Sequence, residues 1–189
     1  MKDRSVADHT RDIAIFISAM VVVVTGSNIL VQFAISDWLT LAAFTYPISF
    51  LVTDLTNRRL GPGAARRVVY SGFAVAVVLS ALLATPRIAV ASATAFLVAQ
   101  LLDIHVFNRL RDRQWWTPPL VSSLLGSAID TTLFFALAFA GTGVPWVTLG
   151  LGDFAIKVLM ALVLLVPFRG LLKWTAPPPP TLTKAGGQS

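Results

Sequence analysis

Asp130, Asp153 and Lys157 stand inside long apolar stretches where ordinary packing has no use for them. An aspartate at the centre of a membrane-spanning helix costs about 2.5–3.5 kcal/mol on insertion scales, so its presence there needs a reason. Asp153 and Lys157 are four residues apart, in the acid-before-base order that suits a helical ion pair. They form either a self-neutralising structural pair or a pair that faces a cavity and meets solute. Asp130 has no partner within its own helix, and Ser123, Ser127 and Asp130 fall on one face as an inward polar stripe. That carboxylate can bind solute or a proton, or accept a hydrogen bond from a neighbouring helix.

Other polar positions are placed in the same way. Gln100 and Asp103 share a face, where they can present an amide and a carboxylate together. Asp54 closes an earlier apolar stretch; it caps the connecting loop, pairs with a nearby arginine or serves a solute. His105 points to a different side from Asp103 and reads as a structural histidine at a helix end, although its type titrates near neutral pH. Asn28 and Gln32, again four apart, must face the bundle because amides in lipid are costly; they touch solute or join helices. Pro47 interrupts a stretch directly after Tyr46 and frees a backbone carbonyl. Broken helices at mid-depth commonly line transporter sites, and a plain packing kink would leave the same trace.

The elements that must position these residues follow from hydropathy. The chain has 189 residues, 56% hydrophobic and only 13% charged, with a mean hydropathy of +0.75. Soluble domains carry about a quarter charged residues, and a water-soluble fold of this size could not hide so much apolar surface. The expected fold is all-α, a polytopic membrane bundle of six helices. Its spans fall at roughly 13–33, 38–54, 68–84, 88–107, 118–140 and 146–168, each near the length that the hydrocarbon core requires. They make one domain over 1–175, and the proline-rich end over 176–189 reads as an extended, disordered tail. The first span lacks an A-x-A cleavage site and reads as a retained helix. Small residues recur every fourth position at Gly72, Ala76 and Ser80 and at Ala91, Ala95 and Ala99, a pattern that lets helices approach closely.

Every lysine and arginine except Lys157 and Arg87 falls at the ends of spans that lie on one side. This alternation predicts an even number of spans with both termini cytoplasmic, in the inner (plasma) membrane. The net charge of +6 therefore does not point to nucleic acid, since the cations flank spans and form no groove. With no cysteine, thiol catalysis, disulfides and zinc-thiolate sites are excluded. His9 and His105 have no clustered metal-ligand partner, no nucleophile–base pair stands out, and a Walker A loop is absent. No channel filter or charge ring is present. Transport of a small polar solute is what remains, with no cofactor implied.

At these residues the sequence resembles the queuosine precursor transporter family, within the vitamin-uptake-transporter group. The resemblance runs over nearly all of the membrane region. It rests on Thr25-Gly26-Ser27-Asn28, on Phe50-Leu51-Val52-Thr53-Asp54-Leu55-Thr56 with Gly61, and above all on the run from Gln100 to Arg111 followed by Trp115-Trp116. Ser122-Ser123-Leu124-Leu125-Gly126, Asp130-Thr131, Asp153, Lys157 and Pro167 complete the order. The chain departs from the wider family at Arg58, often acidic there, and at Pro118-Pro119, near a usual Arg-Asn pair.

The resemblance implies uptake of 7-deazapurine precursors of the tRNA base queuosine, such as 7-cyano-7-deazaguanine and its aminomethyl relative. It also implies a fold similar to the substrate-binding subunits of energy-coupling-factor transporters. A guanine-like edge offers two adjacent N–H donors that a carboxylate accepts in bidentate fashion, a carbonyl that suits an amide or lysine, and a flat ring that stacks on an aromatic face. The expected substrate-binding set is Asp130 and Asp153 as acceptors, Asn28, Gln32 and Lys157 as donors, and Tyr46 or Phe44 as a platform, with Asp54, Gln100 and Asp103 as further polar candidates. Proton coupling, facilitated passage, an ATPase module as partner and a homo-oligomer are all left open.

Overall fold

Proline punctuates this chain: it stands at the start of several helices, and one, Pro167, lies inside a helix. A computed structural model describes residues 2–30, 34–36 and 39–175; Gln32 and the proline-rich end over 176–189 lie outside them. Helix α1 covers Lys2–Leu30 and is followed by a short antiparallel pair, β1 (Ala34–Ser36) with β2 (Leu39–Thr40). Then come α2 (Ala42–Thr45), α3 (Ile48–Leu60), α4 (Pro62–Leu83), α5 (Pro86–Leu110), α6 (Thr117–Phe139), α7 (Trp146–Gly170) and the single turn α8 (Leu172–Thr175). Pro62, Pro86 and Pro118 occupy first-turn positions, where a missing N–H costs nothing. The Thr85 hydroxyl accepts from the Ile88 amide to cap α5. Gly61, at φ +85°, closes α3 and opens α4 with a backbone conformation that a side chain would strain.

Five of these helices, α1 (from Asp8), α4, α5, α6 and α7, are long and apolar enough to cross a membrane. Their outward faces carry exposed Val22, Leu82, Leu151 and Val166, a surface suited to lipid. The chain is an all-α, multi-pass membrane protein.

The second of the six expected spans is different in kind. The stretch expected as a helix over 38–54 is divided: β2 and α2 lead to Tyr46-Pro47, and α3 starts only beyond the proline and runs on to Leu60. Pro47 has no N–H to give, so α2 and α3 are separate helices. α3 is 13 residues long, about 20 Å, and cannot cross ~30 Å of hydrocarbon alone. It is also polar, burying Ser49, Thr53, Asp54, Thr56 and Asn57 among its neighbours. Hydroxyl and amide groups can sit at this depth because the other helices shield them from lipid.

The apolar core wraps α3. Phe16, Met20 and Val24 of α1, Val68 and Val69 of α4, Phe96 and Phe107 of α5, and Phe168 of α7 are buried around Val52 and Leu55. Glycine sets the tightest approaches. A Cβ on Gly72 would lie 2.6 Å from Met20 Cγ, and one on Gly126 would lie 2.7 Å from Phe50 Cε1. These contacts bring α4 against α1 and α6 against α3. Ala91, Ala95 and Ala99 of α5, and Gly72, Ala76 and Ser80 of α4, are all buried.

At one end, Arg59 of α3 pairs with Asp12 of α1 at 2.6 Å, and Arg111 donates to the Asn57 side-chain oxygen at 2.9 Å. At the other end, Arg87 donates to the carbonyls of Leu137 (2.9 Å) and Ala140 (2.6 Å), so it caps the C-terminus of α6.

Candidate functional site

Lys157 lies near the middle of α7, where its ammonium group has three protons to place. It places all three. Nζ stands 2.7 Å from Asp130 Oδ2 of α6, 2.6 Å from Asp153 Oδ2 one turn earlier on α7, and 3.0 Å from the Thr131 hydroxyl. Thr131 in turn donates to Asp153 Oδ2 at 2.7 Å. Tyr46, at the break between α2 and α3, donates its phenol to Asp130 Oδ1 at 3.3 Å. Its ring centroid is 5.6 Å from Lys157 Nζ, within the range of a cation–π contact. The ion cluster therefore joins α6, α7 and the Tyr46-Pro47 break. Lys157 and Asp130 are buried, while the Asp153 side chain keeps 20% of its surface exposed.

The local sequence explains the geometry. The i, i+4 spacing stacks Asp153 over Lys157 on α7, and consecutive positions on α6 set Asp130 and Thr131 on either side of the ammonium. Ser123, Ser127 and Asp130 are buried on one face of α6. Fully ionised, the cluster holds one cation and two anions, an excess of negative charge in a low-dielectric interior.

A second polar cluster lies along α3. Gln100 of α5 donates to Ser49 Oγ at 2.9 Å and accepts from Thr53 Oγ1 at 2.6 Å. One turn on, Asp54 accepts from Ser122 (3.2 Å) and Ser123 (3.3 Å) of α6, and Asp103 of α5 lies against it. The Asn57 amide donates to the Ile104 carbonyl at 3.1 Å. His105 is exposed, on a side of α5 away from this cluster.

Two cavities flank the ion cluster. One, of about 10 Å³, lies between α3, α6 and α7 and is lined by Pro47, Phe50, Asp54, Ser123, Ser127 and Lys157 among others. It has room for about one water. The other, of about 260 Å³, is an open pocket between α6 and α7 lined by Thr131, Phe135, Trp146, Gly150 and Phe154 among others. Thr131 is thus both a wall of this pocket and a ligand of Lys157 and Asp153.

Of the candidates expected from sequence, Tyr46, Asp130, Asp153 and Lys157 are brought together, and Asp54, Gln100 and Asp103 gather in the neighbouring cluster. Asn28 donates to the Val24 carbonyl of its own helix at 2.9 Å, and no interaction among the described residues joins it to either cluster. Thr131, Ser49 and Thr53 belong to the two clusters without having stood out as site residues. Their signal is faint: a hydroxyl beside Asp130, and an i, i+4 hydroxyl pair in the broken span.

A membrane-embedded helical bundle with ionisable side chains at mid-depth, joined to a broken helix, has the architecture of a solute transporter. The sequence profile described as "Putative vitamin uptake transporter" matches residues 40–85 and 79–172. The chain belongs to this vitamin uptake transporter family and is a transporter, not an enzyme. It is 36% identical to the "Queuosine precursor transporter" of Escherichia coli (strain K12) over 79% of this chain and 81% of that one. It is 36% identical to the "Probable queuosine precursor transporter" of Haemophilus influenzae over 72% of this chain and 68% of the relative. The Bacillus subtilis protein of the same description is 27% identical over 66% of this chain and 67% of its own length. No solved structure matches the chain.

Removing one member of a buried ion cluster leaves the others uncompensated, which typically costs about 3–5 kcal/mol. Lys157→Met should therefore lower the thermal stability of the purified protein markedly. Adding Asp130→Asn and Asp153→Asn should recover most of the loss. Melting curves in detergent check both; a Lys157→Met protein that melts like wild type would show that the cluster is not held by the lysine.

Proposed function

We propose that this protein imports 7-deazapurine precursors of queuosine, 7-cyano-7-deazaguanine or its aminomethyl relative, across the inner membrane. The observation that carries the reading is the Asp130–Lys157–Asp153 cluster, with Tyr46 against it, at mid-depth in a chain whose relatives bear that transport name. Two carboxyl groups around a single ammonium offer more acceptors than Lys157 can fill, which suits a cargo rich in N–H donors. A guanine-like edge presents N1–H and N2–H side by side to a carboxylate, Lys157 can turn to the cargo carbonyl, and the Tyr46 ring offers a flat face.

Orientation follows from the cations, and with the basic span ends cytoplasmic both termini lie inside. Arg87 fits this picture, because the one cation in the opposite loops is used to cap α6. The aromatic pocket beside Trp146 then opens toward the outer half of the membrane, and the small cavity beside Asp54 lies on the inner side of the ion cluster. Cargo reaches the cluster by way of Phe135, Phe154 and Thr131. Passage inward requires α7 to part from α3, since about 10 Å³ cannot hold a bicyclic base.

Two outcomes are expected. In a cell unable to make the precursor and fed 7-cyano-7-deazaguanine, this chain should restore queuosine in tRNA. Asp130→Asn or Asp153→Asn should weaken cargo binding roughly 10- to 150-fold, the worth of one hydrogen bond to a charged group. Unchanged queuosine with both substitutions present would end the assignment. The chain has no cysteine, so single cysteines report topology cleanly. Thr142→Cys should react with a membrane-impermeant maleimide in intact cells and Asp112→Cys only after lysis; the reverse pattern would invert the orientation.

A further inference from the structure

Asp54 and Asp103 are 1% and 0% exposed and meet where α3 and α5 cross beneath α6. No lysine or arginine forms an ion pair with either among the described residues. Asp54 has the Ser122 and Ser123 hydroxyls. Asp103 adjoins Asp54 and Ser122, but Ser122 has one hydroxyl proton, within reach of Asp54 Oδ1 at 3.2 Å and of the Pro119 carbonyl at 3.5 Å, and neither Asp103 oxygen meets a hydrogen-bond donor in good geometry among the described residues. Most of the surrounding polar groups are committed elsewhere. Gln100 is held by Ser49 and Thr53, Asn57 by the Ile104 carbonyl, Arg111 by Asn57, and Arg59 by Asp12. Arg58, one turn after Asp54 on α3, lies over the Phe168 ring with its Nε unpartnered among the described residues, and it forms no ion pair with Asp54. Lys157 faces Asp54 from α7 across the small cavity, and it is engaged by Asp130 and Asp153.

Two carboxylates in contact, away from water and without a cation, cannot both be ionised. A single proton resolves the geometry, because a protonated carboxyl donates to its neighbour and gives Asp103 the partner that it otherwise lacks. The pair is also mechanically connected to the ion cluster. Asp54 sits on α3, which begins at the Tyr46-Pro47 break where Tyr46 holds Asp130, and Asp54 shares a cavity wall with Lys157. A movement of α3 or α7 that admits cargo to the inner side changes the surroundings of both groups together.

We propose that the Asp54–Asp103 pair is a proton-binding site that couples cargo import to the proton gradient. This rests on the transport reading above. A proton arriving from the outer side forms an O–H bond on one carboxylate oxygen and is shared with the other; on the inward-facing side that bond breaks and the proton leaves to water. No redox or group-transfer step is involved.

The test has two arms. Infrared spectra of the purified protein in lipid read the proton without any cargo. Wild type should show a protonated carboxylic acid C=O band at neutral pH, and both Asp103→Asn and Asp54→Asn should remove or shift it. Absence of the band, or a band indifferent to both substitutions, overturns the proposal. In vesicles, an inward gradient of one pH unit should drive accumulation of 7-cyano-7-deazaguanine up to about tenfold at one proton per cargo. Asp103→Asn should lose that accumulation, and a melting curve in detergent close to that of wild type shows that the variant is folded. Wild-type accumulation indifferent to the gradient, or an Asp103→Asn protein still driven by it, overturns the coupling. A wild type with the infrared band but no deazapurine counterflow overturns the cargo reading alone.

Discussion

A lysine ammonium in the middle of a helical bundle must place three protons, and this requirement organises the rest of the structure. Lys157 meets it with Asp130, Asp153 and Thr131. Two of these partners lie on α6 and one lies a turn away on α7, so the contact sets how those helices sit against each other. Asp130 carries the constraint on to Tyr46, the residue before the proline that splits α2 from α3. In hydrocarbon no water is available to satisfy a misplaced group. The ionic contacts thus specify the register of helices whose apolar faces would tolerate several.

The same constraint accounts for the unusual α3. A short helix carrying Ser49, Thr53, Asp54, Thr56 and Asn57 would be unstable against lipid, yet here it is enclosed and each of these five side chains has a hydrogen-bond partner. Enclosure comes from small residues on the surrounding helices. Gly126 lets α6 close on Phe50, and the alanine row of α5 leaves space for the Gln100 amide to reach Ser49 and Thr53. The bundle therefore has an apolar shell and a polar axis, the reverse of a soluble helical protein. Aromatic pocket, ion cluster and small cavity lie in sequence beside that axis.

Much of this is legible in the residues because membrane helices obey few rules. Costly mid-span charges mark the ionic residues and hydropathy marks the long helices, although α4 starts at Pro62, ahead of the apolar run read from 68. Asp153 and Lys157 are legible as a pair because i, i+4 spacing is local. That Asp130 completes the pair is not, since it depends on how α6 packs on α7, which spacing along one helix cannot give. The second span differs in form from its hydropathy reading for a related reason. A hydropathy window registers the apolar run up to Phe50, but the polar continuation of α3 to Leu60 is a tertiary outcome, stable only inside the other helices. Asn28 shows the opposite limit: an amide four residues from a carbonyl in its own helix can satisfy itself there.

A structure of the protein with 7-cyano-7-deazaguanine bound shows whether the buried ionic cluster is where cargo is held. The guanine-like edge should lie within hydrogen-bonding distance of Asp130 or Asp153, with Lys157 turned from at least one carboxylate to the ligand carbonyl. A ligand seated elsewhere, with all three contacts of Lys157 intact, would contradict it.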